Sequence, residues 1–421
     1  MRGALQVFLQ SKSEPRSNAP MAAAPRQSLY EPELDGLRLV AFMSVFLHHL
    51  PLFSESPVQV KFNVYGWIGV ELFFVISSYL FFRLLDSEFA KTNSISVKNF
   101  FVRRVLRIYP LMICFTLGMM LYFAAFNLKA LIRLIGTATF TDNIVTWFKG
   151  YNVAIPMTPH LWTLAFEFQV YLFIPSAFLA WKRFGTNRFL IAVALVYLAM
   201  LSARLLFTYM GVRHPVVWVT PCLQPEAVFL GMVLATGVLD RIPAWVWPAI
   251  FIGAGWQFIN TPVPWTGVGP AALSYPLAAI TCLALVQSAR QLGALRAIFS
   301  FRPVVFLGAI SFGLYVFHLF GIYQAGTWLI SMTGPLDVQG SVVDYLAYGL
   351  AGLLLTILMS VVSYFVLEMP FLRMKRRFET VHGRETGTQI GVGAEVDELD
   401  AQAGTCGALS GDRSRARGAT L

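Results

Sequence analysis

Long apolar runs, one after another, limit what this chain can fold into. Ten stretches of about 17 to 25 residues are long enough to cross a bilayer as helices. Their approximate limits are 36–53, 64–85, 107–126, 161–181, 189–209, 216–237, 244–260, 269–288, 304–331 and 345–368. The expected fold is an all-α, polytopic membrane helix bundle of about ten transmembrane helices. Pro221, Pro225, Pro243 and Pro248 would kink or end helices, so the sixth and seventh spans are the weakest.

Composition agrees with lipid as the solvent. The chain is 57% hydrophobic and only 13% charged, where a soluble protein carries roughly a quarter charged residues. Mean hydropathy is +0.63. A net charge of +10 raises the question of nucleic acid. The 36 Phe, however, lie inside the apolar runs and not among basic clusters, which excludes an interleaved nucleic-acid patch.

The basic residues alternate from loop to loop instead. One set of connections holds Lys91, Lys98, Arg103, Arg104, Arg107, Lys182, Arg183, Arg188, Arg241, Arg290, Arg296 and Arg302. The other holds only Lys61, Lys129, Arg133, Lys149 and Arg213. Positive residues accumulate on the cytoplasmic side, so both termini are expected in the cytoplasm. The implied location is a membrane, crossed many times, with its basic face toward the cytoplasm.

Three regions follow. Residues 1–33 are polar and Pro-rich, with no helical period, and are expected to be a disordered cytoplasmic segment. Met21 offers a second start. No cleavable signal peptide is evident, so the first span is expected to act as an anchor. Residues 34–373 form the membrane domain, and 374–421 are expected to form a disordered cytoplasmic tail, too short for a fused soluble domain. The 127–160 connection is expected to form a re-entrant or lid element. Cys114, Cys222, Cys282 and Cys406 show neither disulfide nor metal spacing; those in apolar segments are expected to be small buried fillers. No metal site is indicated.

Ionisable groups at membrane depth mark function by default. In "ELDGLRLVAFMSVFLHHL", Arg38 and His49 are eleven residues apart. They differ by about 20° in azimuth and stand about 16 Å apart along a helix, whereas His48 points elsewhere. A cation and a deep imidazole thus share one face. A neutral imidazole there can take a proton from a hydroxyl. Arg38 snorkelling to lipid phosphate, with His49 capping a neighbouring helix, fits equally well.

Arg104 and Arg107 in "FFVRRVLRIYP" stand at i and i+3, at the expected cytoplasmic lip of the third span, with Pro110 near the helix start. Their forked donors suit phosphate, and so does plain anchoring at the membrane surface. "GWIGVELFFVISSYLFF" sets Glu71 in an apolar run, with Gly66 and Gly69 allowing close backbone approach and Ser77 and Ser78 adding hydroxyls. "HLWTLAFEFQVYLF" places His160, Thr163 and Glu167 in one stripe, and "ISFGLYVFHL" does so for Ser311, Tyr315 and His318. Either stripe also fits hydrogen bonding between helices.

These stretches, with "LEMP" at Leu367–Pro370, come in an order that resembles the acyltransferase 3 family of membrane O-acyltransferases, over roughly residues 34–373. The resemblance implies ten core helices. It also implies transfer of an acyl group, usually acetyl, from cytoplasmic acyl-CoA to a carbohydrate hydroxyl, as on lipopolysaccharide O-antigen, exopolysaccharide or a glycolipid. The family's basic residue and histidine, ten positions between them, fall on Arg38 and His49. Its R-x-x-R motif falls on Arg104 and Arg107, and its Trp-Ser-Leu-x-x-Glu pattern on Trp162, Thr163, Leu164 and Glu167. Thr163 replaces the usual Ser, Glu71 an Asp, Ser78 a Gly and Phe312 a Tyr.

The expected roles follow. Arg38, Arg104 and Arg107 grip the phosphates of the acyl-CoA co-substrate, with no permanently bound cofactor. His49 is the catalytic base, or is itself acylated, and Glu167 or Glu71 orients its ring. His160, Trp162, Thr163, Ser311, Tyr315 and His318 contact the acceptor. The three guanidinium groups and the His49 imidazole are expected to line one cavity. A glycolipid transporter or flippase without acyl transfer is the alternative, since it too needs buried charge.

Overall fold

A computed structural model of the chain describes residues 30–51, 57–151, 154–212, 214–334 and 342–378. There is no strand among the described residues. Met21, Cys406, Arg213 and nearly all of both expected tails lie outside them.

Helix α1 (Pro32–His49) opens with Pro32, Glu33 and Asp35 in its first turn and closes on His48 and His49. Proline suits a first turn, where an amide donor is spare anyway, and acids and bases suit these ends of the helix dipole. After α2 (Pro57–Tyr65) and α3 (Ile68–Thr92) comes α4 (Val97–Tyr122). Ser96 caps α4 by accepting from the Asn99 amide at 3.3 Å. Pro110 therefore lies well inside the helix and not near its start, and Arg104 and Arg107 sit on the helix itself.

The 127–160 connection contains two short amphipathic helices, α5 (Leu128–Ala138) and α6 (Asp142–Lys149). A 3-10 turn at Pro159–Leu161 leads into α7 (Trp162–Phe184), followed by α8 (Thr186–Tyr209), α9 (Glu226–Ala235), α10 (Val246–Asn260) and α11 (Val268–Gln291). Then come α12 (Gly293–Phe299), α13 (Arg302–Ala309), α14 (Ser311–Thr333) and α15 (Val342–Ser363). A π turn at Tyr364–Glu368 connects α15 to α16 (Met369–Lys375).

Among the described residues, six helical segments are long and apolar enough to cross a membrane: α3, α4, Pro159–Phe184, α8, α11 and Tyr345–Lys375. The expected single span 304–331 is instead the pair α13 and α14, bent by 73°, which makes a seventh if counted as one. The expected 216–237 span is broken into a 3-10 turn at Pro221–Leu223 and the 10-residue α9. Pro221 and Pro225 interrupt its hydrogen-bond ladder. The 244–260 span becomes the 15-residue α10. Helix α1 is apolar but carries Glu33, Asp35 and Arg38 at one end.

The outward faces are lipid-like. Leu346, Leu350, Leu354 and Leu358 recur every fourth residue on α15, and all are exposed; α8 exposes Ile191, Leu195 and Leu198. Helix α1 runs through the interior, packed on α3, α13 and α14. Gly69 lets α3 touch it, because a methyl group there would strike the Ala41 carbonyl oxygen. Gly308 on α13 meets the Asp35 carbonyl in the same way. Of the cysteines, Cys282 is buried, whereas Cys114 and Cys222 are exposed, against the expectation of buried fillers.

Candidate active site

Helices α1, α3, α4, α7, α13, α14 and α16 enclose a cavity of about 1380 Å³, its open mouth included. Along α3 the lining runs from Val70 to Leu84, or about 21 Å of helix. Arg38, Arg104, Arg107, Arg83 and Lys375 supply cations, and Glu31, Asp35 and Glu167 supply carboxylates.

The cations are held in place by their own surroundings. Asp35, one turn before Arg38, accepts from its Nη1 at 2.5 Å. The Arg104 guanidinium stacks 3.9 Å from the Phe81 ring centroid, and its Nε is buried with no hydrogen-bond partner. Arg83 Nε is likewise buried and unpartnered. Buried unpartnered donors cost free energy, so a ligand that accepts from them is favoured. The convergence of Arg38, Arg104 and Arg107 is as expected. Arg83 and Lys375 were not anticipated, because positive residues at span ends read as ordinary anchors.

The far end of the cavity holds Thr163, Ser311 and Tyr315. Tyr315 Oη lies 2.8 Å from Thr163 Oγ1 and donates to the His160 carbonyl at 3.2 Å. Behind Tyr315, its ring 5.5 Å from that of His318, stands a row of imidazoles. Ring centroids are 4.8 Å apart for His160–His318, 4.9 Å for His318–His49 and 4.8 Å for His49–His48. His49 Nδ1 is 2.9 Å from the Val45 carbonyl and 3.3 Å from His318 Nε2. His318 Nδ1 is 2.6 Å from the Tyr315 carbonyl, and His160 Nε2 is 3.1 Å from that of Val316. Among the described residues, no three His, Cys, Asp or Glu side chains converge as a metal ion would need.

Four expectations therefore need correction. His49 does not line the cationic cavity; Tyr315 and His318 stand between them. Neither Glu71 nor Glu167 orients the His49 ring, whose hydrogen bonds go to Val45 and His318. Glu71 instead accepts from Gln224, in a buried group with Arg204 and Glu226, which pair at 2.6 Å. Glu167 lines the cavity beside Arg104 and Tyr171. Trp162 also stays out of the cavity, packed 5.5 Å from the Trp218 ring. His160 sits on the 3-10 turn just before α7, so the expected stripe begins off the helix proper.

A further pair, unforeseen, supports that turn. Arg133 on α5 bonds Asp142 on α6 at 2.8 Å, and also donates to the Thr158 carbonyl at 3.2 Å. The connection is thus tied directly to the residues that precede His160. Burial pushes the Asp142 carboxyl up to about 6 in spite of Arg133.

A long cavity rich in guanidinium groups, ending at hydroxyls backed by imidazoles, suits acyl transfer from a phosphate-bearing donor. Residues 31–364 match the model of a family described as an acyltransferase domain, acyltransferase 3. The chain belongs to that family. Among curated proteins it is similar to the peptidoglycan O-acetyltransferase OatA of Listeria monocytogenes, 27% identical over 347 residues, which covers 73% of this chain and 51% of that protein. It is also similar to the O-acetyltransferase OatA of Staphylococcus aureus, 26% identical over 371 residues, covering 81% and 57%. The chain thus spans about half the length of the curated relatives it matches. No solved structure matches it.

Proposed function

We propose that this protein is an integral membrane O-acetyltransferase. It moves an acetyl group from cytoplasmic acetyl-CoA to a hydroxyl of an envelope carbohydrate, with peptidoglycan the acceptor named for one relative. The proposed topology has ten crossings of the bacterial inner membrane and both termini in the cytoplasm, as the alternation of basic loops suggests.

The observation that carries the proposal is the convergence of Arg38, Arg104 and Arg107 in one cavity that ends at Thr163, Ser311 and Tyr315. Forked donors recognise phosphate oxygens in pairs. The guanidinium groups and Lys375 hold the phosphates of the donor at the end where the chain enters α1 and leaves α16. The thioester arm then lies along α3 toward Tyr315. The side chain of Tyr315 turns aside for the acyl group to meet His49.

His49 Nε2 takes the acceptor hydroxyl proton as the oxygen attacks the thioester carbonyl carbon. The carbon–sulfur bond breaks, and the thiolate leaves and receives the proton from His49. His160, Thr163 and Ser311 contact the reacting groups around Tyr315. Glu167 balances the charge of Arg104. Glu71, far from these groups in its hydrogen bonding, holds helices together.

Mass spectrometry of cell-envelope glycans with and without the gene tests the activity. An acetyl mass difference on one sugar, abolished by His49→Ala, is the expected result. Transfer at the wild-type rate by His49→Ala would remove the base assignment. Unchanged glycans would remove the acceptor class.

A further inference from the structure

We infer that His318 is the positioning residue for His49, in the place where a carboxylate is usual. The inference rests on the reading of His49 as the base.

Carbonyl oxygens only accept hydrogen bonds, so a ring nitrogen beside one must carry the hydrogen. His318 Nδ1 lies 2.6 Å from the Tyr315 carbonyl. It is therefore the N–H of the neutral ring, and His318 Nε2 is bare. That bare nitrogen is 3.3 Å from His49 Nδ1, which must then be a donor. The Val45 carbonyl, 2.9 Å from the same Nδ1, requires the same assignment independently. Both routes leave His49 Nε2 without a hydrogen, the form a general base needs. Each described hydrogen bond of His49 runs through Nδ1, and the residue as a whole is half-buried.

The arrangement also serves the charged form. When His49 gains a proton at Nε2, the Nδ1–H becomes a stronger donor. The Val45 carbonyl and His318 Nε2 are both there to accept from it. His318 is fully buried, with the Phe42 ring edge-on and its centroid 6.5 Å from that of His318, and the His160 ring on another side. No carboxylate is among the described hydrogen-bond partners of either ring. A Ser–His–Asp triad assigns this duty to an anion; here a neutral imidazole, its own tautomer fixed by a backbone carbonyl, takes it.

The test uses the full-length protein in membranes, with acetyl-CoA as donor and two isosteres at 318. His318→Gln places an amide near the Nε2 position and keeps an acceptor for His49. His318→Asn reaches only the Nδ1 position and loses it. Both keep a polar group at the site, so both are compared at equal amounts of folded protein. The expected result is a kcat for His318→Asn about 100-fold below wild type, with His318→Gln restoring about tenfold or more of that loss. KM for acetyl-CoA stays within about threefold in both, because the cavity cations are untouched. Equal activity of the two variants, or a loss expressed only in KM, would overturn the inference. If His49→Ala is inactive while both 318 variants match wild type, only the positioning role fails. If His49→Ala is active, the underlying base assignment fails instead.

Discussion

The Tyr315 hydroxyl and Thr163 Oγ1, 2.8 Å apart, close one end of the cationic cavity against the imidazoles behind it. The bond joins α14 to the first turn of α7. Its removal should therefore separate two proposed functions, admission of the thioester and retention of the donor.

Tyr315→Phe keeps the ring and deletes the hydroxyl. It should lower transfer by about three- to tenfold, the value of one neutral hydrogen bond or slightly more. Tyr315→Ala removes the partition altogether. Release of thiol from acetyl-CoA without acceptor should then rise above wild type while transfer falls. Thiol titration in the absence of acceptor measures it, and an unchanged rate would show that Tyr315 does not separate the two compartments.

In the proposed function, donor binding should depend on the arginines unequally. Arg104 is stacked on Phe81 and has a buried, unpartnered Nε, whereas Arg38 already has Asp35 at 2.5 Å. Arg104→Ala should weaken acetyl-CoA binding by about 2–3 kcal/mol, roughly 30- to 150-fold in Kd, as for a charge-assisted hydrogen bond. Arg104→Lys should recover little, because an ammonium neither stacks nor forks in the same way. Calorimetric titration with coenzyme A would show this; equal affinity for Arg104→Ala and wild type would take the donor phosphates out of the cavity.

Much of this site was legible in the chain. The i, i+3 spacing of Arg104 and Arg107 and the lone Arg38 pointed to one cationic locus, and all three line the cavity. The stripe of Ser311, Tyr315 and His318 was also visible. Spacing on one helix, however, says nothing of which helix faces it. Arg38 and His49 share a face of α1, yet α14 inserts Tyr315 and His318 between their compartments. Glu71 looked like a partner for an imidazole because its neighbours Gln224, Arg204 and Glu226 are distant in sequence, on segments whose packing no periodicity reveals. The broken 216–237 span had a local signal in its prolines. The bend between α13 and α14 falls at Ile310, where no proline stands to announce it.

The two carboxylates expected to serve His49 should respond differently to amide replacement. Glu71→Gln replaces the carboxyl of a buried group whose partners are Gln224, Arg204 and Glu226 by an amide. It should leave kcat within about threefold of wild type while altering thermal stability. Glu167→Gln changes the cavity wall beside Arg104 and should raise KM for acetyl-CoA by a smaller factor than Arg104→Ala does. Steady-state kinetics on membranes decides it. Collapse of kcat in Glu71→Gln at normal stability would return this carboxylate to the chemistry.

The Arg133–Asp142 pair makes stability pH-dependent outside the spans. Burial raises the Asp142 carboxyl from its ordinary 3.8 to about 6, and the same burial lowers the Arg133 guanidinium. The folded protein therefore binds this proton more tightly than the unfolded chain. Its contribution to stability is complete below about pH 4 and is lost as pH rises through about 6. At about 1.4 kcal/mol for each pH unit, the term is bounded at about 3 kcal/mol. Asp142→Asn has no such proton, so the stability of wild type relative to this variant should fall between pH 4 and pH 6.5. Thermal unfolding midpoints in detergent at several pH values, wild type minus variant, measure the slope. A difference that grows with pH would mean that Arg133 holds Asp142 charged and that the ion pair outweighs burial. Because Arg133 also donates to the Thr158 carbonyl, the same pH range should loosen the turn that carries His160. Hydrogen exchange at residues 158–161 should rise together with the loss of stability.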